Sequence, residues 1–338
     1  MRRWQFWIGV LVSIVFLWLA VRGLSVAEAL EVLPGIKVVW LIPAVGVYFL
    51  AVWGRAWRWH YLLRPIKAIP TRRMFPVTAI GYAGNNIFPA RAGELLRAVV
   101  LKRHEDVPVS ASLATIIVER IFDGVVMLGF VFVNLPELAR LTADSGFVGS
   151  IQSLTIWGSA IFIAALALFL AAAMLPTKTL VIIEWITNRV VPVRFRQKVT
   201  GVAGRFLGGL AALRSPRDVL MVFLTSVVIW LLVTGKYWLL MHAFPFEVSF
   251  FALMLMNGIV NLATTIPSAP GYIGTFDAPG IAVLRAYGVD QALAVVYTLV
   301  LHAALWFPIT ALGLYYLAKE GLTWGKEMDA LRSEAREV

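Results

Sequence analysis

The stretch WQFWIGVLVSIVFLWLAV, residues Trp4–Val21, contains no charged side chain and directly follows Arg2 and Arg3. About 20 apolar residues in helical form cross the roughly 30 Å hydrocarbon core of a bilayer, so this run fits a first membrane span. A cleaved signal peptide is the alternative, since its flanks are similar. The run is longer than the about 7–15 apolar residues of a signal peptide, and its three tryptophans suit a permanent anchor.

The composition of the whole chain indicates an integral membrane protein. Of the 338 residues, 60% are hydrophobic and 14% are charged, and the net charge is +11. A soluble domain carries about 25% charged residues, so a soluble chain of this composition would expose a large apolar surface. The basic residues lie between hydrophobic segments, which indicates membrane orientation and contact with anionic lipid rather than nucleic-acid binding. We therefore predict a single membrane domain over residues 1–338.

Six segments are long and apolar enough to be full spans. They are Trp4–Val21, Val38–Gly54, Val107–Pro136, Phe147–Leu175, Val219–His242 and Gln291–Ala318. Residues 178–217 form a basic cytoplasmic connection whose mixed apolar and basic content predicts helices on the membrane surface. Residues 319–338 form a charged cytoplasmic tail.

Two further uncharged segments, Met74–Ala90 and Val248–Phe276, contain prolines and glycines that disfavour one continuous helix. Basic residues follow the first segment at once, so a full crossing would place strongly basic loops on both sides of the membrane. A re-entrant hairpin, which returns to its own side, agrees with the positive-inside rule. The predicted fold is therefore all-α and polytopic, with six full transmembrane helices, two re-entrant broken hairpins and both termini in the cytoplasm.

These eight hydrophobic segments divide into two repeats, about 1–136 and 147–318. Each half reads as span, span, broken hairpin, span, and the halves have opposite orientation, which is the layout of an inverted repeat. The sequences Pro89-Ala-Arg-Ala-Gly93 and Pro267-Ser-Ala-Pro-Gly271 share a Pro-x-x-x-Gly spacing at matching places.

Charged side chains within the membrane mark the first candidate site. A charge at mid-membrane costs about 2.5–3.5 kcal/mol on insertion scales, so such residues must pair, contact water or lie near an interface. Two interpretations stay open: a salt-bridge network that holds the first hairpin to its neighbouring span, or a site for substrate or a coupling ion. The cluster consists of Arg91, Glu94, Arg97, Glu119, Arg120 and Asp123.

The second hairpin supplies the other candidate residues, because irregular backbone in a membrane must line a cavity or pack inside protein. A helix that begins near Thr275 would present free N–H groups suited to an anion, and a glycine hinge with a threonine N-cap is the alternative. The candidates are Asn261, Thr265, Pro270, Gly271, Gly274, Thr275 and Asp277.

The sequence predicts no metal site and no cofactor. It contains no cysteine, and its four histidines lack metal-ligand spacing, so core or interfacial roles are expected for them. No Gly-x-x-x-x-Gly-Lys-Ser/Thr motif occurs, so ATP-driven pumping is not expected either.

Three motifs, in this order, carry a resemblance to a known family. They are GNNIFPARAGELLR at Gly84–Arg97, Glu119-Arg120-x-x-Asp123, and PGYIGTFD at Pro270–Asp277. The chain resembles, over nearly its whole length, the transmembrane region of lysylphosphatidylglycerol synthases, the flippase-like domain also found in the multiple peptide resistance factor. Two residues depart from the pattern: Tyr272 stands where a small residue is common, and Asp277 where glutamate is usual. The matching positions are Arg91, Gly93, Glu94, Arg97, Glu119, Arg120, Asp123, Pro270, Gly271, Gly274 and Asp277.

This resemblance implies a polytopic lipid-transport domain with two re-entrant segments. No stretch after Ala318 could fold as the soluble aminoacyl-transferase domain of the fused members, so aminoacylation is not expected. We expect a flippase or transporter of the cytoplasmic membrane whose partner is an anionic or phosphate-bearing lipid, a class that includes polyprenyl-linked, glycosylated and aminoacylated lipids. Arg91, Arg97 and Arg120 would meet the phosphate, since guanidinium groups suit its oxygens. The alternatives are an intramembrane enzyme that acts on a lipid phosphate and a non-transporting scaffold for a lipid-synthesis partner. An oligomer is compatible with each.

Overall fold

A computed structural model of the chain describes residues 3–22, 26–88, 91–134, 171–266 and 268–320, together with positions 136, 164 and 167. Every regular element in these ranges is helical. The α-helices are α1 (Arg3–Val21), α2 (Val26–Val32), α3 (Leu41–Leu63), α4 (Thr71–Ile87), α5 (Ala92–Glu105), α6 (Val109–Val133), α7 (Pro176–Val190), α8 (Val193–Gly209), α9 (Pro216–Met241), α10 (Phe250–Ala263), α11 (Asp277–Ala286) and α12 (Gln291–Lys319).

The architecture is that of a multi-pass membrane protein. Val38–Leu63, Pro216–Met241 and Gln291–Lys319 are long and apolar enough to cross a bilayer. Helix α6 has a similar length of 25 residues but contains three charged side chains. The predicted span Phe147–Leu175 lies almost entirely outside the described residues, as does the tail after residue 320, so the count of six full crossings stays a prediction.

Helix α3 is longer than the predicted span Val38–Gly54, because it continues to Leu63. Its buried face repeats at helical spacing beyond Gly54, through Ala56, Trp59 and Leu62. The predicted end of this span at Gly54, directly before the first charged residue, is therefore wrong. Arg55 and Arg58, which lie beyond that predicted end, are buried on this helix.

The predicted break inside Met74–Ala90 is wrong as well, since α4 is one continuous helix up to Ile87. Pro76 is only the sixth residue of α4, so the carbonyl that loses its N–H partner belongs to Arg72, an exposed residue of the first turn. The helix instead ends at Ile87, and Arg91, which directly precedes α5, adopts a left-handed conformation with φ of 54°. Helices α4 and α5 are therefore the two arms of the first hairpin.

The two arms of this hairpin touch backbone to backbone at Gly93. A Cβ atom on Gly93 would lie 1.9 Å from the carbonyl oxygen of Gly81 and 2.4 Å from the amide nitrogen of Asn85. No side chain fits such a gap, so glycine at position 93 sets the distance between the arms.

The open end of the first hairpin is held by Glu105, at the end of α5. Its carboxylate lies 3.0 Å from Lys67 Nζ and 3.3 Å from Arg73 Nη1, just before and within the start of α4. Burial alone would raise the pKa of Glu105, but the hydrogen bonds from Lys67 and Arg73 lower it below its ordinary value. A lowered pKa in the folded state means that this clamp stabilises the fold at neutral pH and loses that effect as the pH falls into the acidic range.

The second hairpin consists of α10 and α11, joined by residues 264–276, and its tip meets that of the first hairpin beside α12. Asn86 of the first hairpin donates to Thr310 Oγ1 at 2.8 Å, while Gly271 of the second lies against Trp306. Trp306 is 15 residues after Gln291 and 13 before Lys319, which is about 20 Å from either end of α12 at 1.5 Å per residue. The tips therefore meet near the middle of the longest helix.

Replacement of Gly93 by alanine tests the contact between α4 and α5. We expect the G93A variant to lose about 1–3 kcal/mol of stability, because the added methyl group forces the arms apart. The matched control is G129A, a helical glycine of α6 with open space around its Cβ position, which should gain about 0.5–1 kcal/mol. The measurement is thermal unfolding in detergent, and equal stability of G93A and the unmodified protein would contradict the close contact.

Candidate functional site

The charged residues predicted from the sequence lie together in the structure, and Arg58 of α3 joins them as a seventh member. Arg58 is fully buried, with 0% of its surface exposed. Its Nη1 atom lies 2.5 Å from Asp123 Oδ1 and 2.7 Å from Ser226 Oγ. Trp230 Nε1 donates to the same Asp123 oxygen at 2.7 Å. This network therefore ties α3, α6 and α9 together.

A second buried ion pair joins α5 to α6. Arg97 donates to Glu119, and its guanidinium carbon lies 4.3 Å from the ring centre of Trp59. The other carboxylate oxygen of Glu119 is 4.0 Å from Arg58 Nε. Arg97 is therefore held by protein side chains. It does not belong to the described residues that line the neighbouring cavity.

Three of the predicted residues form a more accessible layer. Arg120 Nε lies 3.4 Å from Glu94 Oε1, and Arg91 Nη1 lies 3.7 Å from the same oxygen. One carboxylate therefore serves two guanidinium groups. Arg120 is also 3.8 Å from Asp123 Oδ2, which connects this layer to the buried one.

A cavity of about 130 Å³ lies beside this layer, between the two hairpin tips and helices α3, α9 and α12. Arg91 and Arg120 line it, and so does Arg55 of α3. The Nη1 atom of Arg55 is buried and has no hydrogen-bond partner among the described residues. Its guanidinium lies over the rings of Trp230, at 5.0 Å, and Tyr82, at 5.4 Å. The cavity thus contains a cation without a carboxylate.

The tips of the two hairpins are joined by residues with strained backbone. Arg91 and Tyr272 have φ of 54° and 61°, and both are rare conformations for residues other than glycine. The guanidinium of Arg91 lies 5.8 Å from the ring centre of Tyr272, and its Nη2 atom donates to the carbonyl of Thr264 at 3.1 Å. Strain of this kind persists only where surrounding contacts enforce it, and it concentrates at functional sites.

The predicted residues of the second hairpin separate into two groups. Asn261 and Gly271 line the cavity, whereas Thr265 and Pro270 do not. Gly274, with φ of 82°, packs against α1, where a Cβ atom would lie 2.5 Å from the carbonyl oxygen of Ser13. The remaining two, Thr275 and Asp277, lie at the start of α11.

The start of α11 bears on both structures that the sequence suggested. The glycine hinge is present, since Gly271 and Gly274 have φ of 74° and 82°. Its threonine N-cap is wrong, because Phe276 precedes the helix and Thr275 donates to the carbonyl of Tyr272. The amide of Gly274 donates to Asp277 Oδ2 at 2.8 Å, so a carboxylate of the chain itself takes one amide that an external anion could use. The anion cradle stays a prediction.

Lys236 of α9 is a further charged residue that the sequence analysis did not single out. It is fully buried, and its Nζ atom has no partner among the described residues. This atom lies 5.2 Å and 5.0 Å from the ring centres of Tyr48 and Tyr237, which both line the cavity. The sequence could have identified Lys236, because it is the one charged residue inside the predicted span Val219–His242.

The chemistry available in this cavity is that of guanidinium and aromatic groups rather than of metal ligands. Within the described residues, no group of three or more His, Asp or Glu side chains could hold a metal ion. Arginine forks bind the oxygens of phosphate groups in pairs, and the tyrosine and tryptophan rings shield these charges from lipid.

Comparison with known proteins identifies relatives over most of the chain. The model of the "Lysylphosphatidylglycerol synthase TM region" family matches residues 6–313. Glycosyltransferase AglD of Haloferax volcanii is 26% identical over 90% of this chain, which spans 52% of that protein. A UPF0104 membrane protein of Methanothermobacter thermautotrophicus is 24% identical, with 82% of this chain and 84% of the relative covered. UPF0104 membrane protein PH1989 of Pyrococcus horikoshii is 21% identical, with 93% and 96% covered. No solved structure matches the chain.

Replacement of Arg58 by leucine tests whether the buried pair with Asp123 holds the helices together. We expect the R58L variant to lose about 3–5 kcal/mol, because a carboxylate is left without its main partner in a buried place. The matched control is R72L, at an exposed arginine in the first turn of α4. Substitution of an exposed side chain changes stability by about 0.5 kcal/mol or less, so R72L should unfold close to the unmodified protein in the same detergent. Equal loss in both variants would contradict the role given to Arg58.

Proposed function

The chain belongs to the lysylphosphatidylglycerol synthase TM region family, and on this basis we propose that it moves the phosphate-bearing headgroup of a lipid from one leaflet to the other. The membrane is the cytoplasmic one, and both termini lie in the cytoplasm. The headgroup binds in the cavity between the hairpin tips, while its hydrocarbon tails stay in the surrounding lipid. Lipid chemistry is unchanged by this process.

The observation that carries this proposal is an excess of positive charge around the cavity. The described residues place five arginines at or directly behind the cavity, and these arginines contact three carboxylates in all. The arginines are Arg55, Arg58, Arg91, Arg97 and Arg120, and the carboxylates belong to Glu94, Glu119 and Asp123. A fourth carboxylate, that of Asp277, pairs with His302 instead. A phosphate monoester carries about −1.5 to −2 charges at neutral pH, which matches the excess of two.

Arg55 has the central part in this binding. Its unpaired Nη1 atom is buried, and a buried donor without an acceptor is unfavourable by about 1–3 kcal/mol. A phosphate oxygen in the cavity would supply the acceptor that the protein lacks. Arg91 and Arg120 can contribute further donors, since one carboxylate, that of Glu94, is shared between them.

The size of the cavity supports a headgroup rather than a whole lipid as the occupant. Its volume of about 130 Å³ is well below the roughly 300–1,000 Å³ of pockets that enclose a drug-sized molecule. Arg97 lies behind Glu119, outside the cavity lining. We therefore assign Arg97, with Arg58, to the support of the site, and Arg55, Arg91 and Arg120 to the headgroup.

The hairpins are proposed to be re-entrant, entering the membrane from opposite sides. Helices α5, α10 and α11 have 14, 14 and 10 residues, so they reach only about 15–21 Å into a core of roughly 30 Å. The first hairpin opens among basic residues, and the positive-inside rule favours a cytoplasmic location for that end. Its tip packs against α12, and the second hairpin packs against α6, which is the exchange of partners that an inverted repeat would produce.

The name of one relative favours a second candidate, an enzyme that acts on a lipid-linked sugar or phosphate. The contacts of the three carboxylates favour transport, because an acid or base must exchange protons with substrate and these groups are each bound to arginine. Mass spectrometry of lipids recovered from vesicles separates the two, since an enzyme changes the mass of its lipid and a transporter leaves it unchanged.

Replacement of Arg55 by leucine tests the headgroup site. Proteoliposomes would contain trace amounts of fluorescent phosphatidylglycerol or fluorescent polyprenyl phosphate, and the movement of each probe would be followed by quenching of the outer leaflet. We expect R55L to move the better probe at least about tenfold more slowly, since one charge-assisted bond contributes roughly 1.5–3 kcal/mol. R55K should be intermediate, because lysine keeps the charge without the planar fork.

The stability of R55L distinguishes binding from support. Because Arg55 has no carboxylate partner, its removal strands no buried acid, and R55L should unfold at or above the temperature of the unmodified protein. R64L, outside the cavity, is the control and should keep full transport. A stable R55L that moves both probes at the normal rate would show that Arg55 is no headgroup ligand and would favour the scaffold interpretation.

Single cysteines test the hairpin topology without background, since the sequence has no cysteine of its own. R72C and S110C flank the first hairpin and should react with an impermeant maleimide only from the cytoplasmic side. E247C and R285C lie at the open end of the second hairpin and should react only from outside. Reaction of R72C and S110C from opposite sides would mean that the first hairpin crosses the membrane.

A further inference from the structure

The imidazole of His302, on α12, lies between two hydrogen-bond acceptors. Its Nδ1 atom is 2.8 Å from Asp277 Oδ1, and its Nε2 atom is 2.7 Å from the carbonyl oxygen of Gly271. Both partners belong to the second hairpin, one in the tip and one at the start of α11. His302 is thus the side chain that fastens this tip to α12.

These two contacts require a proton beyond those of a neutral imidazole and a carboxylate. A neutral imidazole has one N–H group, so it donates to one acceptor while its other nitrogen offers a lone pair. Both contacts are hydrogen bonds when the pair holds one more proton, as imidazolium with carboxylate. The two distances fit imidazolium against carboxylate, which is the form we consider.

The surroundings of Asp277 indicate that this proton compensates the negative charge of its carboxylate. Asp277 is buried, and among the described residues its only ion-pair partner is His302. The other three carboxylates near the cavity contact arginine instead. Since His302 lines the cavity, water there can take up the proton.

Other ionisable groups surround the pair on every side. Helix α2, which also packs against α12, carries Glu28 and Glu31. The charged and titratable groups that line the same cavity are Tyr48 and Arg55 of α3, Tyr82 of α4, Arg91, Arg120 of α6, Tyr237 of α9 and Tyr272 of the tip. The three cavity arginines are fixed cations, and His302 and Asp277 are the pair in this wall whose two contacts require a shared proton.

We propose that His302 and Asp277 together form a proton site that locks the second hairpin tip, Pro270–Phe276, to α12. When an N–H bond of His302 breaks, the proton passes to cavity water and the pair is left with one negative charge. One of the two contacts then sets lone pair against lone pair, and the tip separates from α12. The coupling of this release to movement of a headgroup rests on the proposed function, whereas the lock does not.

Nitrogen NMR of protein with ¹⁵N-labelled histidine, in lipid nanodiscs, tests the proton site directly. The H302Q variant identifies the signal of His302 among the four histidines. At pH 7.5 an unperturbed imidazole is about nine-tenths neutral, yet His302 should show two protonated nitrogens. In D277N the amide can donate to Nδ1, so both contacts persist with a neutral imidazole, and the signal should show one protonated nitrogen. The control D290N, at the cap of α12, should leave His302 unchanged. One protonated nitrogen in the unmodified protein would overturn the proposal.

Hydrogen exchange and transport test the lock and its coupling separately. After correction for intrinsic rates, exchange of the tip amides should rise at least tenfold from pH 7.5 to pH 9.5 in the unmodified protein and stay constant in D277N. An unchanged rate in the unmodified protein would overturn the lock. In proteoliposomes with fluorescent phosphatidylglycerol or polyprenyl phosphate, a pH gradient should raise the rate of probe movement by the unmodified protein. The rate of probe movement by D277N should not depend on the gradient. If the gradient does not change the rate of probe movement, the coupling is overturned but the proposed function stands. If neither probe moves at all, the result counts against the proposed function, and the NMR and exchange measurements alone decide the lock.

Discussion

A charged side chain inside a membrane must pair, contact water or lie near an interface, and the pair between Arg58 and Asp123 is where this requirement organises the structure. Asp123 accepts from Arg58 of α3 and from Trp230 of α9, so a single carboxylate fixes α6 against two other helices. Glu119 extends the network to Arg97 of α5, which anchors the first hairpin. Loss of a buried partner is unfavourable by about 3–5 kcal/mol, a large part of the roughly 5–15 kcal/mol that stabilises a typical domain. The frame around the cavity therefore depends on these pairs.

Once that frame is fixed, the hairpin tips have a defined place to meet. Contact of Arg91 with Tyr272 joins two residues that both hold unfavourable backbone angles, and the bond from Arg91 to Thr264 adds to the same junction. The junction lies beside the middle of α12, and both tips line the cavity together with helices α3, α9 and α12. Strained backbone of this kind concentrates at ligand clamps and switch regions. This is the property that a headgroup pathway requires.

The sequence predicted the helical membrane class and the cluster around Glu119, because hydropathy and intramembrane charge are local properties. It left Arg55 and Arg58 outside the second span, because that span was predicted to end at Gly54, directly before its first charged residue. The buried face of α3 in fact continues to Leu62. It grouped Arg97 with Arg91 and Arg120, because spacing along a helix does not reveal which face borders a cavity. His302 and Asp277 lie 25 residues apart on different helices, and only their packing brings them together.

The central claim is that an uncompensated guanidinium in the cavity holds a lipid phosphate, and native mass spectrometry of the purified protein with its co-purified lipids tests it most directly. The unmodified protein should retain phosphate-bearing lipid under conditions that strip neutral lipid, and R55L should lose it while staying folded. R64L changes a half-exposed arginine at the end of α3, the helix that also carries Arg55, and this variant should retain the lipid. Equal retention of the same phosphate lipid by R55L, or retention of neutral lipids alone by the unmodified protein, would contradict the account.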